Sequence, residues 1–182
     1  MSQEGGHRRI DRVLDPAFAD GLSALPLDEL RSRRDECLAE REYLSLLRRL
    51  VQGRAEILRA EAARRAGDAS DAPLVDRLAS ILGGEQSGPS RGEAVHIGVP
   101  EEELTMARRR VERLVADAGI SDPSALDDGR LGKAVELLGR EEAELSRSRA
   151  EVIAVLDRLQ DELKRRYKED PSLVLSERRG TP

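Results

Sequence analysis

Two sets of side chains recur along this chain with the same spacing, 101 positions apart. The first is Arg41, Ser45, Arg48, Gln52 and Glu56; the second is Glu142, Ser146, Arg149, Ile153 and Asp157. Both advance by steps of 4, 3, 4 and 4. On a helix turning about 100° per residue, those steps keep five side chains within an arc of about 80° over about 22 Å. An arginine fork in such a row suits carboxylate, phosphate or the O6/N7 edge of guanine. A carboxylate accepts from the guanine N1–H and N2–H₂ edge, and a serine hydroxyl reaches phosphate or ribose oxygens. An arginine plane also stacks on a base, replacing scarce aromatics. Ser45, Arg48 and Glu56 with Ser146, Arg149 and Asp157 therefore suit a guanine nucleotide bearing phosphates. The plainer reading is a solvated helix face with weak i,i+4 pairs. Recurrence in register with an apolar seam, and serines inside helices, weigh toward a site.

Those rows need long helices to hold them. The first long helix is expected over about 27–66, after Pro26 and with Asp28 and Glu29 where the helix dipole favours acids. Leu30, Cys37, Leu44, Val51 and Leu58 form a seven-residue repeat along it, the mark of a coiled-coil seam. The last long helix is expected over about 128–168, with Leu138, Leu145, Val152 and Leu159 as its seam. A shift of 101 superposes the two seams, and between 36–65 and 137–166 nine positions are identical. We read this as a true repeat. Sixty residues between the helices let the chain turn back, so an antiparallel pair is the simplest arrangement; an intermolecular coiled coil stays open. Two equal rows on antiparallel helices are related by a two-fold axis, which a two-fold-symmetric ligand would match.

Shorter helices are expected at about 73–82 and 101–118, with Gly-, Ser- and Pro-rich chain between them. Residues 1–26 read as a mobile leader, with a short helical piece around Ile10–Leu14 or Pro16–Leu22, and 169–182 as a flexible tail. Residues 27–168 then form one helical coiled-coil domain. The fold class expected is all-α: a long antiparallel coiled-coil helical hairpin with additional shorter helices in the connection.

Composition bounds the rest. Charged residues make up 37% of the 182 and aromatics 2%, which favours helices packed along narrow seams over a thick core. The net charge of −5 is spread among interleaved acids and bases, unlike a dedicated duplex nucleic-acid binder. One cysteine excludes an internal disulfide, and His7 and His96 lie in no ligand-like pair. No apolar run approaches the ~18 residues of a membrane span, and the N-terminus lacks a secretory signal's apolar stretch. A soluble, cytoplasmic protein without direct DNA binding is expected.

The segment LRSRRDECLAEREYLSLLRRLVQGRAEILRAEAARR, above all YLSLLRRLVQGRAEILRAE, resembles the first long helix of the actinobacterial anti-sigma factor RsiG family. ELSRSRAEVIAVLDRLQDELKRRYKE looks like the second copy. The family carries a repeated Glu-x₃-Ser-x₂-Arg-x₃-Gln-x₃-Asp motif on two coiled-coil helices. The resemblance implies that this motif grips cyclic di-GMP as a regulatory ligand and that the loaded protein sequesters a sporulation- or motility-type sigma factor of RNA polymerase. Ser45, Arg48 and Gln52 match the pattern, Glu56 replaces aspartate, and Arg41 stands where the family has an acid. Glu142, Ser146, Arg149 and Asp157 match in the second copy, while Ile153 replaces the polar residue. The resemblance spans about 27–66 and 135–168.

Other readings remain beside it. A ligand-independent coiled-coil scaffold or polymerase adaptor needs the seam but not the paired rows. An enzyme on a helical bundle would need Glu-x-x-His pairs, and neither long helix holds a histidine. No catalytic residues and no metal ligands are expected. Cys37 reads as a small buried apolar residue, Arg108–Arg110 as a solvated face or a contact for an acidic patch, and Tyr43 and Tyr167 as packing residues or base-stacking ones.

Overall fold

Helix boundaries fall where local chemistry sets them. The computed structural model describes residues 7–67 and 99–173, with side chains from residue 9 onward. Within these, α1 spans His7–Val13, α2 Leu27–Ala66, α3 Glu101–Asp117 and α4 Asp128–Glu169. Pro26 precedes α2, whose first turn carries Asp28 and Glu29, and Gly67 ends it at φ +76°. A left-handed residue there costs least as glycine. Gly119 takes the same role after α3 at φ +66°, and Ile120 N–H bonds back to Val115 O at 3.0 Å. Asp127 Oδ1 accepts from Arg130 N at 2.8 Å, capping the first turn of α4.

The expected all-α fold is the one observed, with no strand among the described residues. The helices expected at 27–66, 101–118 and 128–168 are found within a residue at each end. The helix expected at 73–82 lies outside the described residues. Part of the stretch expected as a mobile leader with a short helical piece is described. From His7 onward it carries α1 and two 3-10 turns, Pro16–Ala19 and Leu22–Ala24, with Val13, Phe18 and Ala19 buried. The apolar side chains among those charges supply the reason: burying each contributes on the order of 1.5–3 kcal/mol, enough to dock a short helix. At the other end the chain is described to Leu173, whose carbonyl accepts from Arg31 Nη2 at 2.7 Å.

The described residues divide into two compact units, one comprising the chain up to Arg41 and from Arg149 on, the other Glu42–Ser148. Unit one contains α1, the start of α2 and the second half of α4. Its interior is Val13, Leu30, Cys37, Val152, Leu156 and Leu159. Arg31, near the start of α2, donates to Tyr167 Oη at 3.1 Å near the end of α4. Unit two contains the rest of α2, α3 and the first half of α4. Its interior is Leu44, Leu47, Val51, Leu58, Val111 and Leu138. Going from Gln52 to Arg65 along α2 corresponds to going from Glu142 back to Asp128 along α4, so the helices run antiparallel there. Helix α3 packs on both, through Arg54–Glu112 at 2.8 Å and Arg110–Glu141 at 3.2 Å.

Several contacts of one unit recur in the other at a shift of 101. Arg65 donates to the carbonyls of Leu126, Pro123 and Ser124 at 2.6, 3.0 and 3.2 Å. Arg166, 101 residues on, donates to Leu25, Leu22 and Ser23 at 2.7, 2.8 and 3.2 Å. Each arginine is steadied by the glutamate four residues before it, Glu61 or Glu162. Arg9 pairs with buried Glu40 as Arg110 pairs with Glu141. The long helices themselves start at 27 and 128. The repeat thus includes the short helix and the turn before each long helix.

Candidate ligand-binding site

The polar rows sit beside the seam positions, which are the most buried of each helix. Leu44, Val51 and Leu58 are buried on α2, as are Leu145, Val152 and Leu159 on α4. Positions one step off the seam are half-buried. Arg41, Ser45, Arg48, Gln52 and Glu56 all fall in that class, as do Glu142, Ser146, Arg149 and Ile153; Asp157 is exposed. A half-buried polar row keeps its charged tips reachable while partial desolvation strengthens any bond they make.

In unit two the rows come together: Gln52 Nε2 donates to Glu142 Oε1. The fourth residue of the first row thereby touches the first residue of the second. One turn earlier on α2, Arg48 Nε is buried and has no hydrogen-bond partner. A buried N–H without an acceptor costs about 1–3 kcal/mol. Among the described residues it is the buried side-chain polar atom left unsatisfied. Glu56, one turn beyond Gln52, pairs with Arg59 Nη1 at 2.8 Å, as a plain helix face would. Ser45 lies in unit two on α2, three residues before Arg48, and Ser146 lies on α4 one turn after Glu142.

Unit one carries Arg41, Arg149, Ile153 and Asp157. Arg41 and Arg149 both engage other groups. The positions matching Gln52 and Glu142 are here Ile153 and Arg41, and these cannot repeat the bridge: isoleucine has no donor and arginine cannot accept.

The remaining candidates resolve into packing roles. Tyr43 is buried, and Tyr167 lies against Arg31, whose guanidinium is 5.8 Å from the ring centre. Burial, with help from Glu36 and Glu40, pushes the Cys37 thiol up to about 12, as expected of an apolar seam residue. Arg108 and Arg109 are exposed, while Arg110 binds Glu141. His96 lies outside the described residues. No group of three or more His, Cys, Asp or Glu able to hold a metal occurs among the described residues. Nor is any helix there long and apolar enough to cross a membrane.

Sequence reasoning passed over the frame that holds the rows: Arg9 and Glu40, Arg110 and Glu141, and the carbonyl clamps of Arg65 and Arg166. The signal was present. Ser23-Ala24-Leu25 recurs as Ser124-Ala125-Leu126, and Arg8-Arg9-Ile10-Asp11-Arg12 as Arg109-Arg110-Val111-Glu112-Arg113, both at 101.

Two long helices with matched polar rows in a duplicated frame define the class: an all-α protein built from an internal repeat. Within that class, residues 16–82 match the family model described as RsiG-like. The match takes in the first row entirely and ends before the second. No curated protein matches the chain.

Proposed function

We propose that this protein is an anti-sigma factor whose capture of a sporulation- or motility-type sigma factor depends on cyclic di-GMP held by the two rows. One observation carries the reading: the buried, unsatisfied Arg48 Nε one helical turn from the Gln52–Glu142 bridge, in a row the chain contains twice. Folding leaves that donor without a protein acceptor, and an incoming acceptor would offset the cost. A phosphate oxygen or the O6/N7 edge of guanine is such a group.

The donor set fits the nucleotide. Arg48 and Arg149 offer planar forks to phosphate or guanine. Ser45 and Ser146 offer hydroxyls to phosphate or ribose oxygens. Glu56, Glu142 and Asp157 accept from the N1–H and N2–H₂ edge, which adenine lacks. The ligand has two guanines and two phosphates about a two-fold axis, as the internal repeat has two rows. Bound beside Arg48 and the Gln52–Glu142 bridge, it ties α2 to α4 within unit two and presents a surface of protein and nucleotide. A sigma factor docked on that surface is kept from polymerase.

The test is a pull-down of the purified chain against sigma factors of that class, with and without cyclic di-GMP. Co-elution only with nucleotide supports the reading. Equal co-elution without nucleotide points to the ligand-independent scaffold.

A further inference from the structure

The two units share a frame but not an outer face. In unit one Arg12 of α1 pairs with Glu36 of α2 at 3.0 Å, and Arg33 pairs with Glu29 at 2.8 Å. At a shift of 101 those four positions are Arg113, Leu137, Ala134 and Arg130 in unit two. The arginine of the first pair is kept while both acids are gone, one to a leucine and one to a further cation. Arg113, Arg130 and Lys133 are exposed and make no ion pair with a described residue, Asp117 one turn along α3 included.

Among the described residues, Met106 and Leu137 are the large apolar side chains left exposed, at 44% and 36%. Both belong to unit two and to one groove. Arg110 of α3 pairs with Glu141 of α4 at 3.2 Å. Farther along α3 and farther back on α4, Val115 and Leu138 line one small cavity, so the two helices run antiparallel. Met106 stands one turn before Arg110, and Leu137 one turn before Glu141. The two therefore lie on opposite sides of that ion pair, about two turns or ~11 Å apart along the groove. Arg113 lies one turn from Arg110 on the Leu137 side, and Lys133 and Arg130 continue the Leu137 stripe by steps of 4 and 3.

We propose that this α3–α4 groove docks an acidic amphipathic helix of a partner protein. A helix spaces apolar residues at i and i+7 by about 10.5 Å, which matches Met106 and Leu137. Carboxylates around the second apolar residue meet Arg113, Arg130 and Lys133, supplying the acids that Glu29 and Glu36 supply in unit one. The surface rests on the anti-sigma reading only for which protein brings the helix, and its chemistry involves no nucleotide.

The test is fluorescence anisotropy on the full chain, without nucleotide, using a labelled helical peptide with leucines at i and i+7 and glutamates around the second leucine. One control peptide carries lysine for glutamate, and another has its leucines moved to opposite faces. Wild type is expected to bind the acidic peptide about tenfold or more tightly than either control. The preference over the lysine peptide should shrink at about 500 mM salt. Leu137→Glu, which gives unit two the acid that unit one has at the matching position, should keep the melting temperature and lose about tenfold or more in affinity. Arg113→Glu should turn the preference toward the lysine peptide. No binding of the acidic peptide, or binding that both variants leave unchanged, overturns the proposal and leaves the proposed function standing. Self-association of the chain alone, seen by sedimentation and abolished by Leu137→Glu, would make a second copy the occupant and equally overturn it. Failure of cyclic di-GMP to bind overturns the proposed function and leaves this surface standing.

Discussion

Replacing Arg48 by methionine should stabilise the free protein and remove its response to ligand. The buried Nε has no acceptor, a cost of about 1–3 kcal/mol. Methionine keeps most of the unbranched stem at similar helix propensity and brings no polar atom needing a partner. Allowing for lost solvation of the guanidinium tip, the free variant should gain about 1–2 kcal/mol. For a chain of this size that raises the melting temperature by roughly 2–8 °C. Cyclic di-GMP at one hundred times its dissociation constant should stabilise wild type by about 2.7 kcal/mol, roughly 5–11 °C, and the variant far less. Thermal melts followed by circular dichroism, with and without nucleotide, read both effects. A variant that melts lower than wild type by more than a few degrees would mean that Arg48 is a structural residue. An undiminished ligand shift would mean that it lies outside the site.

Arg65→Ala and Arg166→Ala should each cost about 1.5–3 kcal/mol in urea unfolding, by similar amounts, because each releases equivalent carbonyls. Lysine at either position should fail to rescue, since a point charge cannot replace the fork. Hydrogen bonds from Arg64 and then Arg65 hold Glu61 down at about 2, and those from Arg165 and then Arg166 do the same for Glu162. Depressed carboxylates stabilise above the unfolded value near 4.3, and that contribution fades as pH falls toward 2. Melting temperature should therefore fall less steeply between about pH 5 and 2 in a Glu61→Gln, Glu162→Gln double variant than in wild type; parallel curves would refute the assignment. Burial raises Cys37 to about 12, so its contribution is complete below the unfolded thiol value of about 8.5 and declines as pH rises above it. At pH 8 iodoacetamide should leave native Cys37 unmodified and label it once urea is added; rapid labelling of the native protein would contradict its burial.

The long helices were legible because their seams are strict. Leu30, Cys37, Leu44, Val51 and Leu58 repeat every seven residues and are all buried. Pro26 and Gly67 likewise marked the limits of α2 from sequence. The docking of α1 was harder to read, because Val13 and Phe18 stand singly among charges and show no period over seven residues. Their burial depends on helices far along the chain. The rows were legible as spacing, yet only the fold shows that Gln52 reaches Glu142 while Glu56 turns to Arg59. The unsatisfied state of Arg48 Nε has no sequence signature. The wider repeat was hidden because its recurring segments, such as Ser23-Ala24-Leu25, are short.

The most direct measurement is a calorimetric titration of cyclic di-GMP into the purified chain and into an Arg48→Ala, Arg149→Ala double variant of verified helicity. The account predicts saturable heat with wild type and its loss in the variant. Equal binding by both proteins, or no heat from wild type at tens of micromolar, would contradict it.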